Sequence, residues 1–297
     1  MAGIFTIASR EFSDMVRSKR FLVLIVIFTL VMIIPLVQIY VQVIRSGATP
    51  YPDMPGVPMP SRFLGTIGYM LAGTFAAFAP IIGVGLGCDA ISGEREKGTL
   101  KIIMAQPIYR DTVINGKFVA ATSAVSLAIL ITSLGIVGFS TIVMGVTPTV
   151  EETLRLGLYF PFSILFTMTF YGLAAFISTI IKKTSLSVIL SVGMWAVFAF
   201  VIPMIASLIA MTMTYGGDWS SYTATFETIY SLSPNYHFSK VAGHLLGTYS
   251  YSPPGEVQQR SITSSLMNAS PNILVLAIVT TLFFIASYIT FTRQEIR

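Results

Sequence analysis

The chain has 297 residues, of which 54% are hydrophobic and only 10% charged, with a net charge of +5 and a mean hydropathy of +0.78. Soluble domains carry about a quarter charged residues, so this composition excludes a water-soluble globular protein and points to a membrane-embedded one. No cationic, aromatic-interleaved patch lies outside the apolar runs, so the basic balance speaks for membrane topology and anionic lipid and against nucleic acid.

Residues 1–20 place Phe5, Ala8, Phe12, Met15 and Val16 on one helical face and Arg10, Asp14 and Arg17 on another. That pattern predicts an amphipathic elbow helix lying in the membrane interface. It serves either as a simple cationic anchor or as part of the surface met by a cytoplasmic partner. Six segments without any Asp, Glu, Lys, Arg or His follow: Phe21–Ile44, Phe63–Cys88, Phe118–Met144, Leu158–Ile181, Thr184–Met211 and Ile273–Phe291. Each can cross roughly 30 Å of hydrocarbon as a helix. The first is too long for the apolar region of a signal peptide and is expected to be retained.

With six spans, both termini share a side with the 89–117 and 182–183 connections. That side holds thirteen of the eighteen Lys and Arg residues, which makes it cytoplasmic. The other side has three connections. Residues 45–62 carry five prolines and read as an extended link. In 145–157, Thr149 and Glu152 match a capping box that starts a helix. Residues 212–272 form the one sizeable external segment, rich in Tyr, Trp and Phe, with short helices expected near 220–230, 236–248 and 256–268. This segment is either a cap packed on the span ends or a docking surface for an external partner.

Chemistry-bearing motifs are scarce. There is no G-x-x-x-x-G-K-[ST], no H-E-x-x-H and no ionisable residue within any span, so no catalytic residue is assigned. His237 and His244 stand seven apart, about 10 Å along a helix, too far for one ion, and no metal site is expected. The single cysteine, Cys88, rules out an internal disulfide. Gly83-x-x-x-Gly87 reads as a close helix contact. Gln38 and Gln42, one turn apart in span 1, are costly against lipid and face protein or a path. Pro35 and Pro203 are candidate bends in spans 1 and 5.

The charge withheld from the spans is concentrated in the connection between spans 2 and 3. "SGEREKGTLKIIMAQPIYRDTVINGK" has helix-forming residues from Ser92 to Pro107, charged at 94–97 and apolar at Leu100, Ile102, Ile103 and Met104. The run Glu94, Arg95, Glu96, Gly98, Thr99, Leu100, then Pro107, Arg110, Gly116 and Lys117, resembles the signature of ABC-2 type permeases, particularly the branch of the nitrous-oxide-reductase maturation permease. Arg10, Glu11, Phe12, Asp14, Arg17, Ser18 and Lys19 resemble that family's elbow helix.

The resemblance implies an all-α integral membrane protein with a coupling helix at about 92–106 that sits in a cleft of a separate ATPase subunit. Glu94, Arg95, Glu96 and Lys97 would then supply polar contact, Gly98 a close approach and Leu100 an apolar anchor, with Thr99 also among the coupling residues. It further implies a permease homodimer with two ATPase subunits that hold the ATP and Mg, no cofactor being bound by this chain. Spans 1 and 5 would face the two-fold axis, and spans 2 and 5 would line the path. A hydrophobic or amphiphilic substrate, exported across the cell membrane, suits charge-free spans. Two alternatives stay open: ATP-driven motion passed to an external partner without transport, and a channel or receptor that needs no ATPase.

Overall fold

The computed structural model describes residues 3–46, 63–64, 68–100, 109–145, 147–214, 219–247, 249–252, 256–259 and 261–293. Its helices in chain order are α1 (Ile4–Arg17), α2 (Lys19–Ser46), α3 (Tyr69–Gly87), α4 (Ser92–Glu96), α5 (Arg110–Met144), α6 (Val150–Ile180), α7 (Thr184–Ala196), α8 (Ile202–Met213), α9 (Trp219–Tyr230), α10 (Pro234–Leu246) and α11 (Ile262–Arg293). Among the described residues, six helical stretches are long and apolar enough to cross a membrane, beginning at Lys19, Leu71, Arg110, Val150, Thr184 and Ile262. They correspond to the six spans expected from hydropathy. Among the described residues the fold is all-α apart from one hairpin.

α1 is amphipathic as expected, packs on span 3 and buries Ala8. Ser18 breaks the path between α1 and α2, its extended backbone setting the elbow and its hydroxyl accepting from the Phe21 amide. At the opposite end of the bundle the capping box of Thr149 and Glu152 is formed, and Glu152 also accepts from the Leu64 amide at 2.7 Å.

Spans 2 and 4 form the centre of the bundle. Gly83 and Gly87 explain how closely they meet: a Cβ on Gly83 would lie 2.3 Å from the Thr167 carbonyl oxygen, and one on Gly87 2.7 Å from the Tyr171 carbonyl oxygen. Backbone therefore rests on backbone, the close contact that the Gly-x-x-x-Gly spacing predicts. Spans 1, 5 and 6 leave much of their apolar surface uncovered, and span 5 buries only small residues such as Ser187, Ser191, Ala206 and Ala210.

Span 5 is not one regular helix. Val197–Val201 winds as a π-helix, with the Ile202 amide donating to the Val197 carbonyl, and Pro203 follows directly.

The segment between spans 5 and 6 differs from the expectation in two ways. Residues 256–268 do not form a separate helix. Tyr249–Ser252 and Glu256–Gln259 pair as an antiparallel hairpin, and the last span starts at Ile262, eleven residues earlier than its uncharged core. The alternation in Tyr-Ser-Tyr-Ser, a period of two, is the signal for the first strand. Second, α10 does not simply cap the span ends. It packs against spans 2, 4 and 6 and buries Phe238, Val241, Ala242, Leu245 and Leu246, while Ser233 at its start bonds the carbonyl of Phe198, near the middle of the helical stretch Thr184–Met213. Phe238 stacks on Phe166 of span 4 with centroids 4.2 Å apart.

The close contact of spans 2 and 4 carries a prediction. Gly83→Ala forces backbone apart and should destabilise the protein by about 3 kcal/mol or more. Gly138→Ala, with open space around it, should be neutral or stabilising by up to about 1 kcal/mol. Thermal unfolding of the two variants in one detergent checks the contrast.

Candidate functional site

The signature residues Glu94, Arg95 and Glu96 make up most of α4, and each is tied to a different span. Glu94 Oε1 accepts from Lys117 Nζ at the foot of span 3 at 2.5 Å. Arg95 Nη2 donates to the Thr179 carbonyl in the last turn of span 4 at 3.2 Å. Glu96 Oε2 accepts from the Thr184 amide in the first turn of span 5 at 3.1 Å. The last two contacts match the helix dipole, a cation at a C-terminus and an anion at an N-terminus. They also satisfy backbone groups that a helix leaves without partners at its ends.

The start of α4 is fixed from the same direction. Ser178 Oγ, fully buried in span 4, accepts from the Ile91 and Ser92 amides at 3.1 and 2.9 Å and donates to Ser92 Oγ at 3.0 Å. Gly98 then adopts φ +75°, a left-handed conformation that ends the helix at a cost only glycine avoids. Beyond it Leu100 returns to the core at 1% exposure. The expected helix to residue 106 is therefore interrupted at Lys97–Gly98, and its remainder, 101–106, lies outside the described residues.

Of the seven residues expected to meet a partner, Glu94, Arg95 and Leu100 are directed inward. Glu96, Lys97, Gly98 and Thr99 are exposed in a turn at this end of the bundle. Thr99 Oγ1 donates to the Glu94 carbonyl and closes that turn at 3.2 Å. A Cβ on Gly98 would meet nothing within 4 Å, so its surface is open to an approaching chain.

Lys117 is the centre of the inward contacts. Its side chain is 3% exposed and donates a second bond to Glu11 Oε2 of α1 at 2.9 Å. A buried cation is tenable only when paired and hydrogen-bonded, and here two carboxylates supply that from different elements. Gly116 lets α1 lie close, because a Cβ there would fall 2.7 Å from Ile7. A cavity of about 390 Å³ adjoins the pair, lined by Arg10, Asp14, Arg20, Asp89, Lys97 and Lys117 among others. Arg20 pairs with Asp89 across it.

The candidate path residues are dispersed. Gln38 is exposed on span 1 and Pro35 half-buried, whereas the Gln42 side chain lies outside the described residues. Pro203 is half-buried below the π segment of span 5. On α9 and the start of α10, Trp219, Tyr222, Phe226, Tyr230, Tyr236 and His237 form a continuous chain of ring contacts with centroids 5.2–6.2 Å apart. Lys240 donates to Glu227 there at 2.6 Å, a bond that holds the Glu227 carboxyl below its ordinary range.

A family model described as "ABC-2 family transporter protein" matches residues 5–296, nearly the whole chain. The chain belongs to the ABC-2 transporter family. Curated relatives agree with this. A protein of Pseudomonas aeruginosa named "Probable ABC transporter permease protein NosY" is 26% identical over 223 residues, 74% of each chain. The protein of that name from Stutzerimonas stutzeri is 26% identical over 226 residues, again 74% of each. Members of the family are membrane subunits of transporters and work with an ATPase subunit, generally as dimers.

For this family member, sequence reasoning located the Glu-Arg-Glu run but not what it binds. Lys117, the Thr179 carbonyl and the Thr184 amide are its partners, and only a lone lysine placed directly before an apolar span hinted at one of them.

Lys117→Met leaves two carboxylates facing each other without their cation and should cost about 3–5 kcal/mol. The triple variant Lys117→Met, Glu11→Gln, Glu94→Gln removes the charges together and should recover more than half of that loss. Thermal unfolding of the purified variants measures both values.

Proposed function

We propose that this chain is the permease subunit of an ABC exporter for a hydrophobic or amphiphilic substrate, driven by ATP that a separate subunit hydrolyses. The observation that carries the reading is the anchoring of α4: one five-residue helix holds spans 3, 4 and 5 through consecutive side chains, while the turn behind it is exposed. Force applied at Lys97–Thr99 thus reaches three spans without passing through a flexible link. Two copies of the chain would join two ATPase subunits, with ATP and Mg held on those subunits and none on this one. Thirteen of the eighteen cationic residues fall in sequence on the side of the two termini and the 89–117 and 182–183 connections, which supports a cytoplasmic place for that side in a chain multi-pass in the cell membrane.

In this reading the exposed Glu96, Lys97, Gly98 and Thr99 meet the ATPase, and Glu94, Arg95 and Leu100 anchor the turn from behind. Composition supports the substrate class. Span cores without Asp, Glu, Lys, Arg or His offer no charge to attract a small ion, whereas their hydroxyls and uncovered apolar surface suit an amphiphile. Spans 1 and 5, both largely uncovered, supply the dimer axis, with Gln38, Gln42, Pro35 and Pro203 along the axis or path.

A second reading has the same motion delivered to an external partner. The ring chain on α9 favours it, because Trp219 at its tip is 76% exposed. Transport of a lipid-like substrate into vesicles, or its absence alongside capture of a partner by this surface, separates the two.

Lys97→Glu tests the coupling turn. Reversal of an exposed charge leaves folding within about 0.5 kcal/mol. Recovery of the ATPase subunit in a pull-down should fall more than tenfold, equivalent to about 1.4 kcal/mol. Full recovery with unchanged coupled hydrolysis would show that the turn is only a solvated connection, and a protein that never recruits an ATPase would be a channel or receptor.

A further inference from the structure

Prolines in spans 2 and 5 each remove a backbone donor where no water is at hand to replace it. Pro80 leaves the carbonyl of Ala76, four residues before it, without its helical partner. In the π-wound part of span 5 the pattern runs five residues back, as the Ile202 amide to Val197 shows, so Pro203 leaves the carbonyl of Phe198. Both carbonyls are taken by the first residues of α10. Asn235 Nδ2 donates to Ala76 O at 2.9 Å, and Ser233 Oγ donates to Phe198 O at 3.0 Å. The two side chains are 2% and 0% exposed.

A third bond closes the figure. Trp195 Nε1 of span 5 donates to Ala77 O of span 2 at 3.2 Å, beside the Pro80 gap. Span 2, span 5 and α10 are therefore joined pairwise by three polar contacts within an otherwise apolar region. Ser233 also caps α10 by accepting from the Asn235 amide at 3.3 Å, and Pro234 presets the first helical residue.

The geometry points to Ser233 and Asn235 as positioning residues that fasten α10 to the two proline-interrupted spans, so that rearrangement of spans 2 and 5 is carried to the α9–α10 pair. Breaking either bond leaves a buried carbonyl without a donor, and the fastening therefore holds while the two prolines interrupt their helices. The mechanical half of this inference rests on the permease reading above. The fastening itself does not.

The first arm of the test uses the purified full-length chain alone. Ser233→Ala should lower Tm by about 3 °C or more, and Asn235→Leu by at least as much. Pro203→Ala supplies an N–H for Phe198, so in that background the cost of Ser233→Ala should fall by more than half. Pro80→Ala should do the same for Asn235→Leu. The crossed pair, Ser233→Ala with Pro80→Ala, should retain its full cost, which a merely general loss of packing would not reproduce. Equal costs in every background would overturn the fastening. The milder Ser233–Pro203 cycle decides the question by itself if the Asn235 variants do not accumulate.

The second arm uses the complex with its ATPase subunit and follows hydrogen exchange across 234–246 with and without ATP. The wild type should respond, and Ser233→Ala with Asn235→Leu should hydrolyse ATP yet lose that response. A response that survives the double variant would overturn the transmission. A chain that recruits no ATPase sinks the permease reading and leaves the thermal cycles to decide the fastening.

Discussion

Lys117 lies at the foot of span 3 with almost no access to water, and the packing of the whole N-terminal end depends on making that tenable. The two carboxylates that surround it come from α1 and α4, separated from it by 106 and 23 residues. Their convergence fixes where the elbow lies on the bundle and how α4 is turned. Once α4 is so turned, Arg95 and Glu96 have no choice of neighbours: one meets the carbonyl end of span 4, the other the amide end of span 5. A short helix that would be marginal in isolation is thereby defined by electrostatics, since five residues lie far below the length at which a helix sustains itself.

The same demand, that no polar group be left without a partner away from water, is met differently at the prolines. Pro271 in span 6 leaves the carbonyl of Met267, and the neighbouring Ser270 on the same helix donates to it at 2.7 Å. This repair is local and creates no connection. At Pro80 and Pro203 the donors come from a distant part of the chain instead. An identical chemical deficit is a private matter in one helix and a joint between elements in the other two.

How much of this was legible in the sequence follows from the range of each interaction. Six uncharged segments are sufficient for six spans because burial in hydrocarbon depends on local composition. Thr149 and Glu152, three residues apart, announce a capping box, and Gly83 and Gly87 announce a close contact, though not that span 4 is the helix they touch. The Glu-Arg-Glu run is conspicuous, but which way it points depends on Lys117, Thr179 and Thr184, up to 88 residues away. α10 is harder still. Its apolar residues form one stripe interrupted by Asn235, His237, Ser239 and Lys240, so it reads as a surface helix although that stripe is set among three spans. The hairpin at 249–259 is too short for its alternation to outweigh the helical signal that follows.

Gly83 and Gly87 have a mechanical consequence as well. Where two helices touch through side chains, an interlocked layer can deform and let them slide. Where carbonyls and amides of one helix rest directly on the glycines of the other, no such compliant layer exists. Spans 2 and 4 therefore behave as a single stiff plate, and any change of shape in the subunit has to be taken up around that plate, by elements whose contacts are side-chain thick.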